Sequence, residues 1–274
     1  MAQDAPKKRR PIPTRTIVRY SAIAAAMCLV LAAGIYTAQR FEQFLIRDPR
    51  FFLAGPADYG RESANIQLSG VRYASRARIL RLFDEDYGRS VYLLPLKTRR
   101  NALLNVSWVQ QASIVRVWPD RVMVAVTERK PVAFVKLPAD GITRWALIDD
   151  EGVILDPPAR APFKLPVLSG VPPGEPAGKR AKRVRRMLQL MKDLGRHADG
   201  VSEVDVSDLD DLKISWAVQG RAVTLLLGES NFSSRLENFL EHYSDIHRKM
   251  PQASTFDLRL DDRITGLEDS SSAR

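Results

Sequence analysis

YSAIAAAMCLVLAAGIYTAQ, the stretch from Tyr20 to Gln39, contains no charged side chain. An α-helix rises about 1.5 Å per residue, so this stretch covers roughly 30 Å, the thickness of the hydrocarbon layer of a bilayer. It therefore predicts one transmembrane helix over residues 20–39. The alternative is a cleaved signal peptide, but Tyr36-Thr37-Ala38 is a poor small-x-small cleavage site, and the uncharged sequence continues past the usual length of the apolar region.

The charges on either side of this stretch predict its orientation. The preceding residues carry six basic side chains against Asp4, whereas the basic residues in 40–50 are nearly balanced by Glu42 and Asp48. By the positive-inside rule, we expect residues 1–19 to form a basic cytoplasmic tail and the chain from Arg40 onward to lie outside the cytoplasm. The polar segment up to Pro13 has too little apolar surface to fold and is expected to be disordered.

Composition bounds the chemistry of the exported part. Cys28 is the only cysteine, and it lies inside the predicted span, so the exported part forms no disulfide and has no thiol chemistry. The net charge of +10 would suit nucleic-acid binding, but much of the excess lies in the tail and in 179–186. An exported domain meets little DNA, and anionic lipid is the simpler partner for the tail.

Residues 40–62 are expected to form a juxtamembrane linker, and residues 63–130 a first small domain. Alternation predicts two long strands joined by a turn at Pro119-Asp120, with alternate valines of the second strand on one face. Ser75 is placed to cap a helix. The predicted elements are a strand at 64–68, helices after Ser75 and at 97–104, and strands at 110–118 and 121–128. This β-α-α-β-β order suits two layers, with both helices on one face of the sheet.

Residues 131–265 are expected to form a second, mixed α/β domain on an antiparallel-rich sheet, so the whole chain is predicted to be α+β. The predicted strands lie at 132–137, 145–148, 153–155, 204–206, 212–218, 222–227 and 255–260. Helices are predicted at 179–194, stopped by Gly195, and from the capping residue Asn231 to near Pro251. The proline-rich segment 156–178 is expected to cross the surface with little regular structure, and 266–274 to form a disordered tail.

No residue pattern predicts a catalytic, cofactor or metal site. His197, His242 and His247 are too few and too badly spaced to ligate zinc. Acidic clusters fall where turns are expected, and there is no nucleophile elbow, phosphate loop or dinucleotide-binding turn. We therefore expect no enzyme activity, no cofactor and no small-molecule substrate. The basic helix at 179–194 is interpreted as a solvated face opposite a core stripe, and the alternative is contact with an acidic partner or a membrane surface.

Several short motifs together resemble one protein family. They are Ile66-Gln67-Leu68-Ser69-Gly70, Ser75 with Ile79-Leu80, Ser107-Trp108-Val109-Gln110-Gln111-Ala112, Val117-Trp118-Pro119-Asp120 and Val126-Thr127-Glu128-Arg129-Lys130-Pro131-Val132-Ala133. In this order, behind a single basic-flanked span, they resemble the POTRA domain of the FtsQ/DivIB family of cell-division proteins. The start of that family's second, β domain is similar to Leu147-Ile148-Asp149 with Gly152-Val153-Ile154, and to Leu165-Pro166-Val167-Leu168-Ser169-Gly170.

The resemblance implies a function that composition and spacing do not show. It implies a non-enzymatic scaffold of the divisome in the inner membrane, with a cytoplasmic N-terminus, periplasmic domains and concentration at the division septum. The implied partners are FtsB-like and FtsL-like coiled-coil proteins, with FtsK-like proteins and septal synthase components as further candidates. Through them the scaffold would recruit and regulate septal peptidoglycan synthesis.

Two other classes of function compete with this interpretation. One is a POTRA-bearing envelope assembly or transport factor that binds unfolded polypeptide, although such proteins usually repeat the POTRA unit or continue into a membrane β-barrel. The other is an extracytoplasmic sensor or hydrolase, which would need a ligand pocket or a catalytic set that the sequence does not show.

The resemblance also places a partner-binding site in the strand after the final helix, where the family carries an Asp-Leu-Arg-Tyr-like motif at an exposed sheet edge. The matching residues are Phe256, Asp257, Leu258 and Arg259, with Leu260 in place of the aromatic residue. Alternation predicts that the apolar residues of this strand face the core and that Asp257 and Arg259 face outward. An edge strand can accept a partner strand, and Arg259 would pair with a partner carboxylate. The alternative is that Arg259 only discourages edge aggregation.

Overall fold

The computed structural model describes residues 14–56, 63–139, 142–158, 163–260 and 263–267. The α-helices in these residues are Thr14–Arg47 (α1), Arg76–Arg81 (α2), Leu96–Leu104 (α3), Ala177–Leu194 (α4) and Phe232–Lys249 (α5). The strands are Ile66–Ser69 (β1), Val109–Val117 (β2), Arg121–Glu128 (β3), Pro131–Ala139 (β4), Ile142–Asp149 (β5), Ile154–Leu155 (β6), Val167–Ser169 (β7), Val201–Asp205 (β8), Leu212–Val218 (β9), Arg221–Gly228 (β10), Thr255–Asp257 (β11) and Thr265–Leu267 (β12). The chain forms two compact units, the first drawn from Met1–Leu68, Leu80–Arg99 and Ile114–Val124, and the second from Ser69–Ile79, Arg100–Ser113 and Ala125–Arg274.

Helix α1 is the one helix in the described part of the chain that is long and apolar enough to cross a membrane. Its side chains between Val18 and Gln43 are exposed to the surroundings of the described residues. It contains the predicted span 20–39 and extends beyond it at both ends. At about 1.5 Å per residue its length is roughly 50 Å, which exceeds the hydrocarbon layer of roughly 30 Å. The helix therefore continues into residues that the sequence assigns to a linker.

The elements β1, α2, α3, β2 and β3 follow one another in the predicted order, and their strands form a sheet in the order β1-β3-β2. The Arg78 backbone N–H donates to Ser75 Oγ over 3.3 Å, so Ser75 caps α2 as predicted. Val122, Val124 and Val126 are buried, because alternate residues of a strand share one face of the sheet.

Gly70 ends β1 for a steric reason. Its φ of +77° lies in the left-handed region, and a Cβ at this position would lie 1.9 Å from the Val126 carbonyl oxygen. Any residue with a side chain would have to displace the backbone of β3, so only glycine suits this close approach.

The nine remaining strands form one sheet in the order β12-β11-β10-β9-β8-β7-β4-β5-β6. Neighbouring strands are antiparallel except for the pairs β4/β7, β7/β8 and β10/β11, which are parallel. The second domain is therefore a mixed domain on an antiparallel-rich sheet, and the predicted α+β class is confirmed. The hairpin between β9 and β10 turns at Gln219 and Gly220, which both have positive φ, as a two-residue hairpin turn requires.

Strand β7 corrects one expectation. The sequence predicts a surface crossing over 156–178, yet β7 lies inside the sheet between β4 and β8, and Leu168 is fully buried. Three residues carry too short a pattern to predict a strand. The pairing partners, Phe134 for Val167 and Val204 for Leu168, come from distant parts of the chain.

Helices α4 and α5 pack against each other and share one hydrophobic core with the large sheet. The buried residues of α4 are Ala181, Val184, Met187, Leu190 and Leu194. Leu188 and Met191 lie beside this stripe and are only partly buried. Gly195 ends α4 with φ +52° as predicted. Asn231 precedes α5 with φ +57°, but its side chain makes no capping hydrogen bond, so the predicted side-chain cap is wrong and only the backbone of Asn231 starts the helix.

Trp108 lies at a buried junction in the second unit. Its indole Nε1–H donates to the Asp156 carbonyl oxygen over 2.8 Å, and its ring centroid lies 5.3 Å from that of Tyr73 and 6.4 Å from that of Phe163. At the end of β3, Glu128 accepts hydrogen bonds of 2.7–2.9 Å from the backbone N–H groups of residues 72–74. These contacts hold the chain after β1 and the chain after β6 against the first domain's strands.

Trp108→Ala is expected to lower the free energy of unfolding by about 3 to 5 kcal/mol, because a buried aromatic side chain and its hydrogen bond are lost together. Trp145→Ala is the control, since the Trp145 side chain is 46% exposed and is expected to contribute much less. Urea denaturation of the detergent-solubilised chain, followed by circular dichroism, measures both changes. Equal losses in the two variants would show that Trp108 does not support the core.

Candidate partner-binding surface

The predicted site residues lie in and directly after β11. Phe256 and Leu258 are buried, and the Phe256 ring packs 5.1 Å from the Phe239 ring and 6.5 Å from the Tyr243 ring of α5. The strand itself covers only Thr255–Asp257, although the Leu258 N–H still donates to a β10 carbonyl oxygen over 3.0 Å. The prediction that these apolar residues face the core is confirmed as far as Leu258.

Strand β11 is not the edge of the sheet, which corrects the expectation from the sequence. β12 pairs with it in antiparallel register, with Gly266 opposite Phe256, and occupies the edge instead. Residues 266 and 267 therefore belong to the fold, whereas the sequence assigns them to a disordered tail, and the rest of that tail lies outside the described residues. The sequence signal for β12 is weak, because the strand has three residues and a central glycine.

The hydrogen bonds of β11 show which backbone groups of β12 point away from the sheet. The Ser254 carbonyl oxygen and the Leu258 N–H both bond to β10, so alternation turns residues 254, 256 and 258 toward β10 and residues 255 and 257 toward β12. Directly opposed residues of an antiparallel pair exchange both bonds or none. Thr265 and Leu267, opposite 257 and 255, therefore bond to β11, and the N–H and C=O of Gly266 face away from β11, toward the edge of the sheet that the described residues form.

Gly266 is also a point of close packing with the end of α5. A Cβ at this position would lie 2.7 Å from Met250 Sδ and 3.3 Å from Ala253 Cβ. The absence of a side chain lets β12 lie against the chain that follows α5, and Met250, as a flexible side chain, can give way to a small one.

Arg259 is held by carboxylates of its own chain. Its Nε–H and Nη2–H donate to the two carboxylate oxygens of Asp257 over 2.9 and 2.6 Å, and an Nη1–H donates to Asp211 over 3.1 Å. These bonds use three of the five N–H donors of the guanidinium. The side chain is 45% exposed, so it faces outward as predicted, but two partners within the chain already hold it.

A cleft of about 510 Å³ lies between the start of α5 and the chain after β11. The residues that line it are Asn231, Ser234, Arg235, Asn238, Leu258, Leu260 and Ile264. Leu260 is 48% exposed and lines this cleft, so the inward-facing stripe predicted for Phe256, Leu258 and Leu260 is wrong at its last member. The cleft thus combines the exposed Leu260 and the half-buried Ile264 with amides, a hydroxyl and the Arg235 side chain.

The basic face of α4 has a structural function at three of its positions. Arg180 donates to the Gly152 carbonyl oxygen and Arg186 to that of Leu209, each over 2.7 Å, and Arg183 donates to two backbone carbonyl oxygens. The interpretation of this whole face as solvated is therefore wrong. The remaining basic residues of the run are exposed: Lys179, Lys182 and Arg185.

The three histidines lie in separate environments. His197 is 3.5 Å from the Glu237 carboxylate, His242 contacts the Asn238 carbonyl oxygen, and the His247 ring stacks on Tyr243. No three His, Cys, Asp or Glu side chains are grouped to hold a metal ion in the residues that the structure describes.

Both domains match models of one family. Residues 62–129 match "POTRA domain, FtsQ-type", and residues 139–259 match "Cell division protein FtsQ/DivIB, C-terminal". The cell division protein FtsQ of Koribacter versatilis (strain Ellin345) is 32% identical over 97% of this chain and 75% of its own length. The chain belongs to the FtsQ/DivIB family of cell division proteins.

Two further FtsQ proteins show the extent of the similarity. FtsQ of Novosphingobium aromaticivorans is 26% identical over 76% of this chain and 62% of its own length. FtsQ of Coxiella burnetii is 28% identical over 54% of this chain and 55% of its own length. The chain thus spans between 55% and 75% of the length of these three relatives.

Family membership and α1 together fit a single-pass membrane protein of cell division. The C-terminal family match ends at Arg259, so it includes β11 but stops before β12. The edge strand of this FtsQ-family chain is therefore known from its tertiary pairing and not from the family match.

The pair formed by Asp257 and Arg259 predicts a pH dependence of stability. The pKa of the Asp257 carboxyl is lowered from its ordinary value of 3.8, chiefly by hydrogen bonds from the Arg259 side chain. A carboxyl with a depressed pKa in the folded state stabilises the fold above its unfolded pKa, and this contribution is lost as the pH falls through the folded value. Because Arg259 is partly exposed, the contribution is at most about 1 kcal/mol.

Asp257→Asn removes the charge and keeps a side-chain oxygen for the Arg259 backbone N–H. Near neutral pH we expect it to lower the free energy of unfolding by about 0.5 to 1 kcal/mol, and at about pH 2 the difference from wild type should be smaller, because protonation of Asp257 weakens its pair with Arg259. Chemical denaturation at both pH values measures this. Asp245→Asn, in an exposed pair with Arg248, is the control and should change stability little. A deficit of equal size at both pH values would contradict the assignment.

Proposed function

We propose that this FtsQ-family chain is a non-enzymatic, single-pass scaffold of the bacterial divisome, which recruits and regulates septal peptidoglycan synthesis through protein–protein contacts. The observation that carries the proposal is the edge of the large sheet at β12, where the N–H and C=O of Gly266 face outward. Such an edge can accept a strand from another protein. Membership of a cell-division family supports the divisome as the setting.

Helix α1 divides the proposed scaffold between two compartments. We place the basic residues 1–19 in the cytoplasm, the span 20–39 in the inner membrane, the linker 40–62 after it, and the domains 63–130 and 131–265 in the periplasm. The excess of basic residues before the span supports this orientation.

Two fluorescent fusions test orientation and location together. Green fluorescent protein folds in the cytoplasm but stays dark when it is exported unfolded, so an N-terminal fusion is expected to fluoresce and a C-terminal fusion to stay dark. In dividing cells the N-terminal fusion is expected to concentrate at the septum. A bright C-terminal fusion would reverse the orientation, and a uniform envelope signal at every stage would contradict the divisome proposal.

A coiled-coil division protein of the FtsB-like or FtsL-like kind is the proposed source of the added strand. Backbone bonds to the edge would supply affinity, and side chains at alternate positions would supply specificity. FtsK-like proteins and septal synthase components are further proposed partners of the scaffold, without an assigned surface.

The residues Phe256 to Leu260 are proposed to support this edge and to flank the added strand. Phe256 and Leu258 anchor β11 in the core, and so hold β12 in place. The unused donors of Arg259 remain available to a partner carboxylate, and Leu260 offers exposed apolar surface in the adjoining cleft. The five predicted residues thus flank the proposed site, and the backbone groups that would pair with the partner strand lie on β12.

Gly266→Pro and Gly266→Ala form a matched pair that tests strand addition. Both add a Cβ near Met250, but only proline removes the outward N–H of residue 266. We expect Gly266→Pro to bind the coiled-coil partner more weakly than Gly266→Ala by at least about 1 kcal/mol, roughly five-fold in Kd. Titration of the detergent-solubilised chain with the partner's soluble segment measures both affinities.

Circular dichroism of the two Gly266 variants shows whether each remains folded. Equal affinities in two folded variants would place the partner on another surface. Arg259→Glu is a less direct test, because it would put a third carboxylate beside Asp257 and Asp211 and disturb β11 itself.

A further inference from the structure

The end of α1 carries aromatic side chains just beyond its uncharged stretch. Phe41 and Phe44 are exposed, and they follow Arg40 by one and four residues. At about 1.5 Å per residue they lie within roughly 6 Å of the end of the hydrocarbon layer, and the polar layer of a bilayer is about 5 to 8 Å thick on each side. If α1 spans the membrane as proposed above, these rings lie at the level of the lipid headgroups, where aromatic residues are favoured.

Two further aromatic rings continue this row into the first domain. The Phe44 ring centroid lies 5.5 Å from that of Phe51, and Phe51 lies 5.6 Å from Trp118, both in edge-to-face geometry. Trp118 follows β2 in the turn to β3, and it is 49% exposed. The Trp118 ring is thus half-exposed, and it is the last in a series of contacting rings that starts at Phe44 of α1.

Hydrogen bonds fix this turn relative to the helix end. The Ser90 hydroxyl donates to the Leu45 carbonyl oxygen of α1 over 2.6 Å, and Ser90 also bridges to Phe52. Leu53 is buried and exchanges backbone bonds with residues 88 and 89. These bonds fix the chain that leads from α1 into the first domain. Both α1 and the β2–β3 turn belong to the first unit.

We propose that the β2–β3 turn is a membrane-contact surface, with Trp118 inserted among the phospholipid headgroups beside the end of α1. The amphipathic indole ring suits this layer, because its apolar body and its N–H group are both accommodated there. The charges within residues 40–50 and 118–121 are nearly balanced. The basic residues are Arg40, Arg47, Arg50 and Arg121, and the acidic residues are Glu42, Asp48 and Asp120. The contact should therefore depend on the aromatic rings more than on anionic lipid.

The full-length chain in nanodiscs provides the test. The nanodiscs contain phosphatidylcholine brominated on acyl-chain carbons close to the headgroup, because bromine quenches tryptophan fluorescence at short range. Trp118→Phe and Trp145→Phe are compared with wild type, since the two tryptophans are similarly exposed and Trp145 packs on Phe134 of β4. We expect Trp118→Phe to lose most of the bromine-quenchable emission and Trp145→Phe to lose little. Equal quenchable fractions in wild type and Trp118→Phe would overturn the proposal.

Two further measurements distinguish a wrong turn contact from a wrong membrane span and from a contact that depends on anionic lipid. In separate nanodiscs whose phosphatidylcholine is brominated near the ends of the acyl chains, a fluorophore on Cys28, the only cysteine, reports whether α1 is embedded in the bilayer. A quenched Cys28 label with unquenched Trp118 would refute only the turn contact, whereas an unquenched label would refute the membrane span itself. Replacing unbrominated phosphatidylcholine with phosphatidylglycerol, at a constant fraction of brominated lipid, should leave the quenching of Trp118 unchanged, and quenching that appears only with the anionic lipid would refute a contact made by the aromatic rings.

Discussion

The burial of Phe256 under α5 is the contact on which the C-terminal end of the large sheet depends. Its ring is fully buried against Phe239 and Tyr243, and this holds β11 in parallel pairing with β10. Once β11 is fixed, alternation decides which of its backbone groups remain for β12, and β12 in turn exposes Gly266 at the edge. A hydrophobic contact in the core thereby decides which backbone groups lie at the edge where we propose that a partner binds.

The arginines of α4 show a second link between core and surface. The apolar stripe of the helix packs into the core, and this places Arg180, Arg183 and Arg186 beside the loops that join the strands. Each guanidinium then binds backbone carbonyl oxygens that have no partner in a sheet, and such groups are costly to leave unpaired. Much of the basic run in this helix therefore stabilises loops, and only its outer residues remain free to meet another molecule.

In the first unit, contacts with folded structure hold the end of α1 and the described residues that follow it. Ser90 binds the last turns of α1, and Phe51 links Phe44 to Trp118. A scaffold built this way would transmit the position of its membrane helix to its first domain. The proposed partner site at β12 belongs to the second unit, and the proposed lipid contact of Trp118 belongs to the first.

The sequence by itself determined the features that depend on neighbours along the chain. The uncharged stretch after Arg19 predicts α1, alternation in Arg121–Glu128 predicts the buried face of β3, and Ser75 predicts the start of α2, because each depends on residues within a few positions. Only the tertiary structure decided the place of β7, the edge position of β12 and the contact of Arg259 with Asp211. The place of β7 and the second carboxylate partner of Arg259 depend on residues tens of positions away, Val204 for β7 and Asp211 for Arg259. A strand of three residues has too little pattern of its own, and its hydrogen bonds acquire partners only when distant segments are brought together by burial of the core.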